Sequence, residues 1–205
     1  MKKDFFDIVH CLAFAGIFVV SGLSAFSRAM AADTYQVDPV NSSVGFSVKH
    51  LTVSTVTGEF RDFSGTIQFD PLDPAAFVAG VDIKVASIDT RQPKRDEHLR
   101  SKDFFDAEKF LAITFKSKKL TEVKDVNSYT LTGDLTMHGV TKEISIPVVI
   151  SGPVKSPMGK EVIGLSAETT INRQDFGVSW NKALDSGGYV VGDEVRVLVN
   201  IEAGK

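Results

Sequence analysis

Residues 129–150 read YTLTGDLTMHGVTKEISIPVVI. Tyr129, Leu131, Gly133, Leu135 and Met137 fall on alternate positions, and so do Ile144, Ile146, Val148 and Ile150. Between the two runs stands His138-Gly139, a dipeptide suited to a tight reversal. Period two with polar residues in the gaps describes a strand that is apolar on one face and wet on the other. Two such runs about a short turn predict an antiparallel hairpin.

The same period recurs along the chain. Val44, Phe46 and Val48 show it, as do Gly65, Ile67 and Phe69, then Val81, Ile83 and Val85, then Ile113 and Phe115. Ile163, Leu165 and Ala167 follow, and Val195, Val197, Val199 and Ile201 close the series. Turn signals separate the runs at Asp70-Pro71 through Asp73-Pro74, at Ser156-Pro157-Met158-Gly159 and at Ser186-Gly187-Gly188. About eight strands at hairpin spacing predict an all-β antiparallel barrel or sandwich. A parallel sheet would need helices between its strands. Only residues 91–110 lack alternation. There Thr90 or Asp89 would cap a short helix with Pro93 in its first turn, running to Arg100, and Asp106–Phe110 would add a further turn. This segment is expected to cross one end of the barrel.

Closing a sheet removes its exposed edges. At about eight strands the interior is either filled by side chains or just wide enough for one small ligand. Gly45, Gly58, Gly65, Gly133 and Gly164 interrupt strands, which suits either curvature or a hollow interior.

The N-terminus reads as an export signal. Lys2 and Lys3 precede an apolar run from Cys11 to Phe26, and Ala29-Met30-Ala31 is a small-x-small cleavage site. Cleavage is expected after Ala31, leaving one domain over residues 32–205. The run falls short of the roughly 20 residues of a spanning helix, so no stable membrane anchor is expected. The only cysteine, Cys11, would leave with the signal, and with it any disulfide or thiol chemistry. A net charge of −3 argues against non-specific nucleic-acid binding.

His50, His98 and His138 lie on distant segments without metal-motif spacing, and no Gly-x-Ser-x-Gly elbow or phosphate loop is present. Neither a metal nor a cofactor is expected. Arg173 and Asp175 suggest either a headgroup contact or a structural ion pair at a strand end.

Several strings, in order, are similar to one family. They are Tyr35-Gln36-Val37-Asp38-Pro39, then Val44-x-Phe46-x-Val48-x-His50-Leu51, Gly58-x-Phe60 and Phe63-x-Gly65. Ser87-Ile88-Asp89-Thr90, Arg95-Asp96-x-His98-Leu99 and Asp103-Phe104-Phe105-Asp106 follow. Gly133-Asp134-Leu135-Thr136 and Ile171-Asn172-Arg173-x-Asp175-Phe176-Gly177 complete the set. The chain resembles the YceI-like family. The resemblance implies a lipocalin-like barrel whose apolar tunnel binds a polyisoprenoid, either an isoprenoid quinone or a polyprenyl phosphate, in the periplasm. It also implies dimers, which many members form. The family's Asp-Pro-x-His-Ser opening reads Asp38-Pro39-Val40-Asn41-Ser42 here, and Asn41 cannot titrate as histidine does.

On this reading the tunnel wall is expected from Phe46, Val48, Phe60, Phe63, Ile67, Phe69, Phe104, Phe105, Ile113, Phe115, Leu135, Phe176 and Trp180. Arg91, Arg95, His98 and Arg100 are the candidate headgroup contacts, in a basic cluster with Lys94 and Lys102. Burying a forty-carbon chain would yield roughly 30 kcal/mol, above the practical ceiling of roughly 18–21 kcal/mol. Chain ordering must offset part of that, or part of the chain stays outside. Two other readings stay open: a small enzyme using His98 with Asp96 or Asp103, and a stress-linked interaction protein whose lipid is structural.

Overall fold

The computed structural model describes residues 33–185 and 187–205. The signal segment and its cleavage point lie outside the described residues, as does Ser186 of the last turn. Eleven strands form one sheet: β1 (Asp33–Val37), β2 (Ser43–His50), β3 (Ser54–Phe60), β4 (Phe63–Phe69), β5 (Val78–Lys84), β6 (Ile88–Asp89), β7 (Ala112–Glu122), β8 (Ser128–Met137), β9 (Val140–Lys155), β10 (Glu161–Asn172) and β11 (Val191–Gly204). One α-helix, α1 (Pro93–Arg100), lies between β6 and β7.

Every strand pair is antiparallel, and the ring runs β1-β4-β5-β7-β8-β9-β10-β11 and back to β1. The result is a closed eight-stranded barrel: of the barrel and sandwich that the alternation allows, it is the one the family resemblance implies. Three of its staves are broken in the middle. Ala203 of β11 pairs with Val37 of β1, whereas Val191–Asn200 pair with β2. β3 continues into β4 through Arg61-Asp62, and β5 into β6 through a tight turn at Val85–Ser87. The bend between β1 and β2 is stapled to β11. There the Ser42 hydroxyl donates to the Glu202 carbonyl at 3.2 Å and accepts from the Glu202 N–H at 2.9 Å.

The β8–β9 hairpin turns through His138 (φ 51°) and Gly139 (φ 77°) directly between the paired Met137 and Val140. Both residues are left-handed, the geometry that matches strand twist. A Cβ at Gly139 would also come within 2.5 Å of the Phe110 ring, so a side chain at position 139 meets both backbone strain and a clash.

β3 is a strand that the alternation does not mark. Its apolar positions are only Val56 and Phe60, and Gly58 leaves a blank on the inner face. β7 runs past Phe115 because the register shifts between Ser117 and Lys119, and that bulge breaks the alternation. The helix runs Pro93–Arg100 as expected, but its cap is Gln92, whose side chain accepts the Arg95 N–H at 2.9 Å. Thr90 instead donates to Asp96 from its N–H at 2.8 Å and its hydroxyl at 2.5 Å. Asp106 to Phe110 forms a single turn, closed by the Phe110 N–H to the Asp106 carbonyl at 2.8 Å.

The barrel's two ends differ. At the β1–β4 end Tyr35, Phe69, Phe77, Leu120, Tyr129, Ile150, Ile163 and Ala203 are buried. Phe69 meets Phe77 and Tyr129 edge-on at centroid distances of 6.2 and 6.4 Å. A charged seam seals this end, with the Tyr35 hydroxyl donating to Glu161 at 2.7 Å and Lys205 joining Asp33 and Glu161. At the other end lie α1 and the segment behind it.

Candidate functional site: an apolar cavity

The barrel's upper half encloses a cavity of about 230 Å³. Strand alternation aims its wall inward. Val44, Phe46 and Val48 come from β2; Ile113 and Phe115 from β7; Leu131, Leu135 and Met137 from β8; Ile144, Ile146 and Val148 from β9. Leu165, Ala167, Thr169 and Ile171 of β10 face Val195, Val197, Val199 and Ile201 of β11. Ile67 of β4 and Ala79, Val81 and Ile83 of β5 complete the wall, and Leu99, Phe104 and Phe105 cross above.

Only Thr169 and Arg173 bring polar side chains to this wall, and Arg173 offers nothing to a ligand. All five of its N–H groups are engaged. They reach the carbonyls of Gly192, Val178, Trp180 and Val191 and a carboxylate oxygen of Asp193, at 2.6–3.4 Å. Burial draws the guanidinium's pKa down, and Asp193 opposes that pull. Of the two roles considered for Arg173, the structural ion pair is the one present, but with Asp193. Asp175 pairs with Lys142 at 3.4 Å.

A cavity with such walls gives water too few partners to be well hydrated. Left empty, about 230 Å³ of apolar void costs on the order of 5 kcal/mol relative to a filled core. That is comparable to the whole stability of a domain. The shape therefore favours an apolar occupant.

The expected wall residues divide. Phe46, Val48, Phe60, Ile67, Phe104, Phe105, Ile113, Phe115 and Leu135 stand on the cavity wall. Phe63, Phe69, Phe176 and Trp180 do not. Phe63 is in the packed core, and Phe69 sits one inward position below Ile67, where it plugs the closed end. Phe176 is buried in the short turn after β10. Trp180 lies off the wall, edge-on to His98 and tilted against Phe104, at centroid distances of 5.0 and 5.1 Å. The rest of the wall, beyond the expected residues, is mostly aliphatic: Ala79, Ile146, Leu165, Ala167, Val197, Val199 and their neighbours. The alternation that marked the strands already carried that signal.

None of the four candidate headgroup residues is on the wall. Arg95 donates to the Thr90 hydroxyl at 2.7 Å and the Thr90 carbonyl at 2.9 Å. Arg100 donates to the carbonyls of Ile88 and Ala86 at 3.2 and 3.4 Å. These bonds fasten α1 to the strand beneath it. Arg91 is exposed, and its guanidinium reaches Thr57 at 3.2 Å. His98 lies 2.9 Å from Asp103, while Asp96 is held by Thr90 and does not join it. Among the described residues no group of three or more His, Cys, Asp or Glu is arranged to hold a metal ion.

An eight-stranded closure with broken staves and a helix over an apolar hollow are features that a family can be matched on. The model of the YceI-like domain matches residues 35–203. The chain belongs to the YceI-like family. A UPF0312 protein of Staphylococcus aureus is 38% identical over 169 residues, covering 82% of this chain and 95% of the relative. Among solved structures, the Campylobacter jejuni YCEI protein is 37% identical with a TM-score of 0.65, over 77% of this chain and 89% of its own. Burkholderia cenocepacia BcnA is 28% identical with a TM-score of 0.72, over 82% and 99%. A Saccharophagus degradans domain described as polyisoprenoid-binding is similar in fold at 18% identity and a TM-score of 0.65, over 85% and 98%. The YceI-like fold and the hollow upper half thus stand together in one chain.

Proposed function

We propose that this YceI-like protein is a binding protein, not an enzyme, that holds a polyisoprenoid lipid with its tail in the barrel. The observation that carries the reading is the cavity of about 230 Å³ with almost no polar wall. Such a wall recognises length and width and makes no demand on chemistry, which suits a repetitive hydrocarbon. The polyisoprenoid-binding description of the Saccharophagus relative supports the choice of hydrocarbon. An isoprenoid quinone and a polyprenyl phosphate share that tail. Their heads would differ, and of the basic cluster expected to meet a head, Arg91, Lys94 and Lys102 are exposed to solvent.

The N-terminal Lys2-Lys3, the apolar run and Ala29-Met30-Ala31 support export and removal of residues 1–31. The protein would then work in the periplasm. The His98–Asp103 pair stands off the cavity wall, so a ligand in the barrel would not meet it, and the catalytic reading gains nothing from its position.

The test is mass spectrometry of an organic extract from protein purified without detergent. An isoprenoid at near-stoichiometric amount is the expected result. Repeatedly lipid-free protein, with side chains collapsed into the hollow in an experimental structure, would falsify the proposal.

A further inference from the structure

The cavity occupies only half of the barrel, and its lower limit is sharp. On β8 the wall ends at Leu131, and the next inward residue, Tyr129, is buried in the plug. On β9 it ends at Val148 above Ile150, on β10 at Leu165 above Ile163, and on β11 at Ile201 above Ala203. On β4 it ends at Ile67 above Phe69. Five strands thus terminate the hollow at one level. Beneath that level Phe69, Phe77 and Tyr129 interlock, and the Tyr35–Glu161–Lys205 seam closes the end. A tail entering past α1 stops there.

The depth can be set against a ligand. From Val195 to Ile201 the wall of β11 advances about 3.3 Å per residue, roughly 20 Å along the strand. With a strand tilt of roughly 35–45° that is about 15 Å along the barrel axis. Carbon–carbon bonds of about 1.5 Å give an extended isoprene unit a length of roughly 4–5 Å. Three to four units fill the hollow.

We infer that the plug formed by Phe69 and Tyr129 is a chain-length ruler, so that the site takes isoprenoid tails of three to four units in full and leaves the remainder of any longer tail outside. This rests on the isoprenoid reading above and adds the specificity-determining residues to it. It has a physical consequence. Each unit that enters removes apolar surface from water, and each unit beyond the floor removes none. Affinity should therefore climb with tail length and then stop.

The experiment is a binding series of all-trans polyprenyl alcohols of two, three, four, six and eight units, titrated into delipidated full-length protein. The expected result is at least about a tenfold gain per unit up to four units, and less than about twofold in total from four to eight. Phe69→Ala opens the floor and should move the break toward six units. Since Phe69→Ala also removes core packing, a second variant works in the opposite sense. Ala167→Leu adds side chain into the hollow, where there is room, and should move the break below three units. Affinity that keeps climbing to eight units overturns the ruler alone, and so does a break that moves in neither variant. Failure of every alcohol to bind overturns the isoprenoid reading and the ruler with it.

Discussion

The two halves of this barrel share strands and alternation, yet they are held together by different forces. In the closed half the inward residues touch one another: Ile150 and Ile163 are each 2% exposed and Ala203 is fully buried. In the hollow half, residues on the same inward faces, such as Phe115, Leu135 and Ile146, are only partly buried because they face the cavity. Packing stabilises the first. The second is packed less completely: Val44, Leu131, Val148 and Leu165 are buried in its wall, and the aromatic contacts of the crossing segment and the buried guanidinium of Arg173 add to them. One half thus supplies the stability that lets the other stay open.

Truncation should separate the halves most clearly. Ile150→Ala removes packed atoms and should cost about 4 kcal/mol in urea unfolding of the ligand-free protein. Leu135→Ala removes atoms that already face space and should cost less than about 2 kcal/mol, while weakening lipid binding more than Ile150→Ala does. Equal stability losses would mean that the hollow collapses in solution.

Arg173 tests what replaces packing at the rim. Its bonds join Val178, Trp180, Val191, Gly192 and Asp193 around the open end. Arg173→Met leaves these carbonyls and a carboxylate without their donor and should cost about 3 kcal/mol. Arg173→Lys should recover little, since one ammonium cannot reach five acceptors in a plane. Stability measured by urea unfolding should fall in both variants, with protease cuts appearing between Val178 and Val191.

A smaller effect is expected at Gly58. Its missing side chain makes room for the Phe46 ring, which any Cβ would overlap. Phe46 lines the cavity, so its ring has the hollow to turn into, while the Thr90 methyl, 2.8 Å from that Cβ, must also give way. Gly58→Ala should therefore cost only about 1 kcal/mol in stability. By pushing the ring into the hollow it should weaken lipid binding about tenfold, read by titration. Unchanged binding would show that the ring moves outward.

How much of this contrast can be read from sequence follows from what is local. Alternation in residues 129–150 marks both strands and the inward face, because side chains two apart share a face. It says nothing about how far along that face the packing extends, since Leu131 and Tyr129 obey the same rule and only one meets the hollow. β3 stays hidden because Gly58 blanks its pattern, and the far end of β7 because a bulge at Ser117 reverses it. The Arg173–Asp193 pair spans 20 positions and is invisible until β11 is folded against the end of β10. The preference for phenylalanines in the expected wall placed Phe69 and Phe176 in the hollow and left out Ala167 and Val199, because ring size says more about burial than about position.

The smallest expected effect concerns the seam that seals the packed half. Tyr35 is 1% exposed, and its hydroxyl donates to Glu161. Burial, followed by that hydrogen bond to a carboxylate, pushes its pKa from 10.0 up to about 12. The folded state therefore keeps a proton that the unfolded chain gives up near pH 10. The stabilisation is complete below pH 10 and is lost as pH rises toward about 12, by at most about 1.4 kcal/mol per pH unit. Tyr35→Phe should cost about 1 kcal/mol at pH 8. It should then unfold with a shallower alkaline slope than the parent, so that urea midpoints of the two converge between pH 10 and pH 12. Lys205, whose pKa the seam raises chiefly through Asp33, stays in both proteins and keeps its Asp33 and Glu161 partners. Parallel slopes would place the alkaline loss on Lys205 and leave Tyr35 as packing alone. Lipid binding should not change at pH 8 in either case, since the seam lies beneath the plug and a tail that stops at Phe69 never meets it.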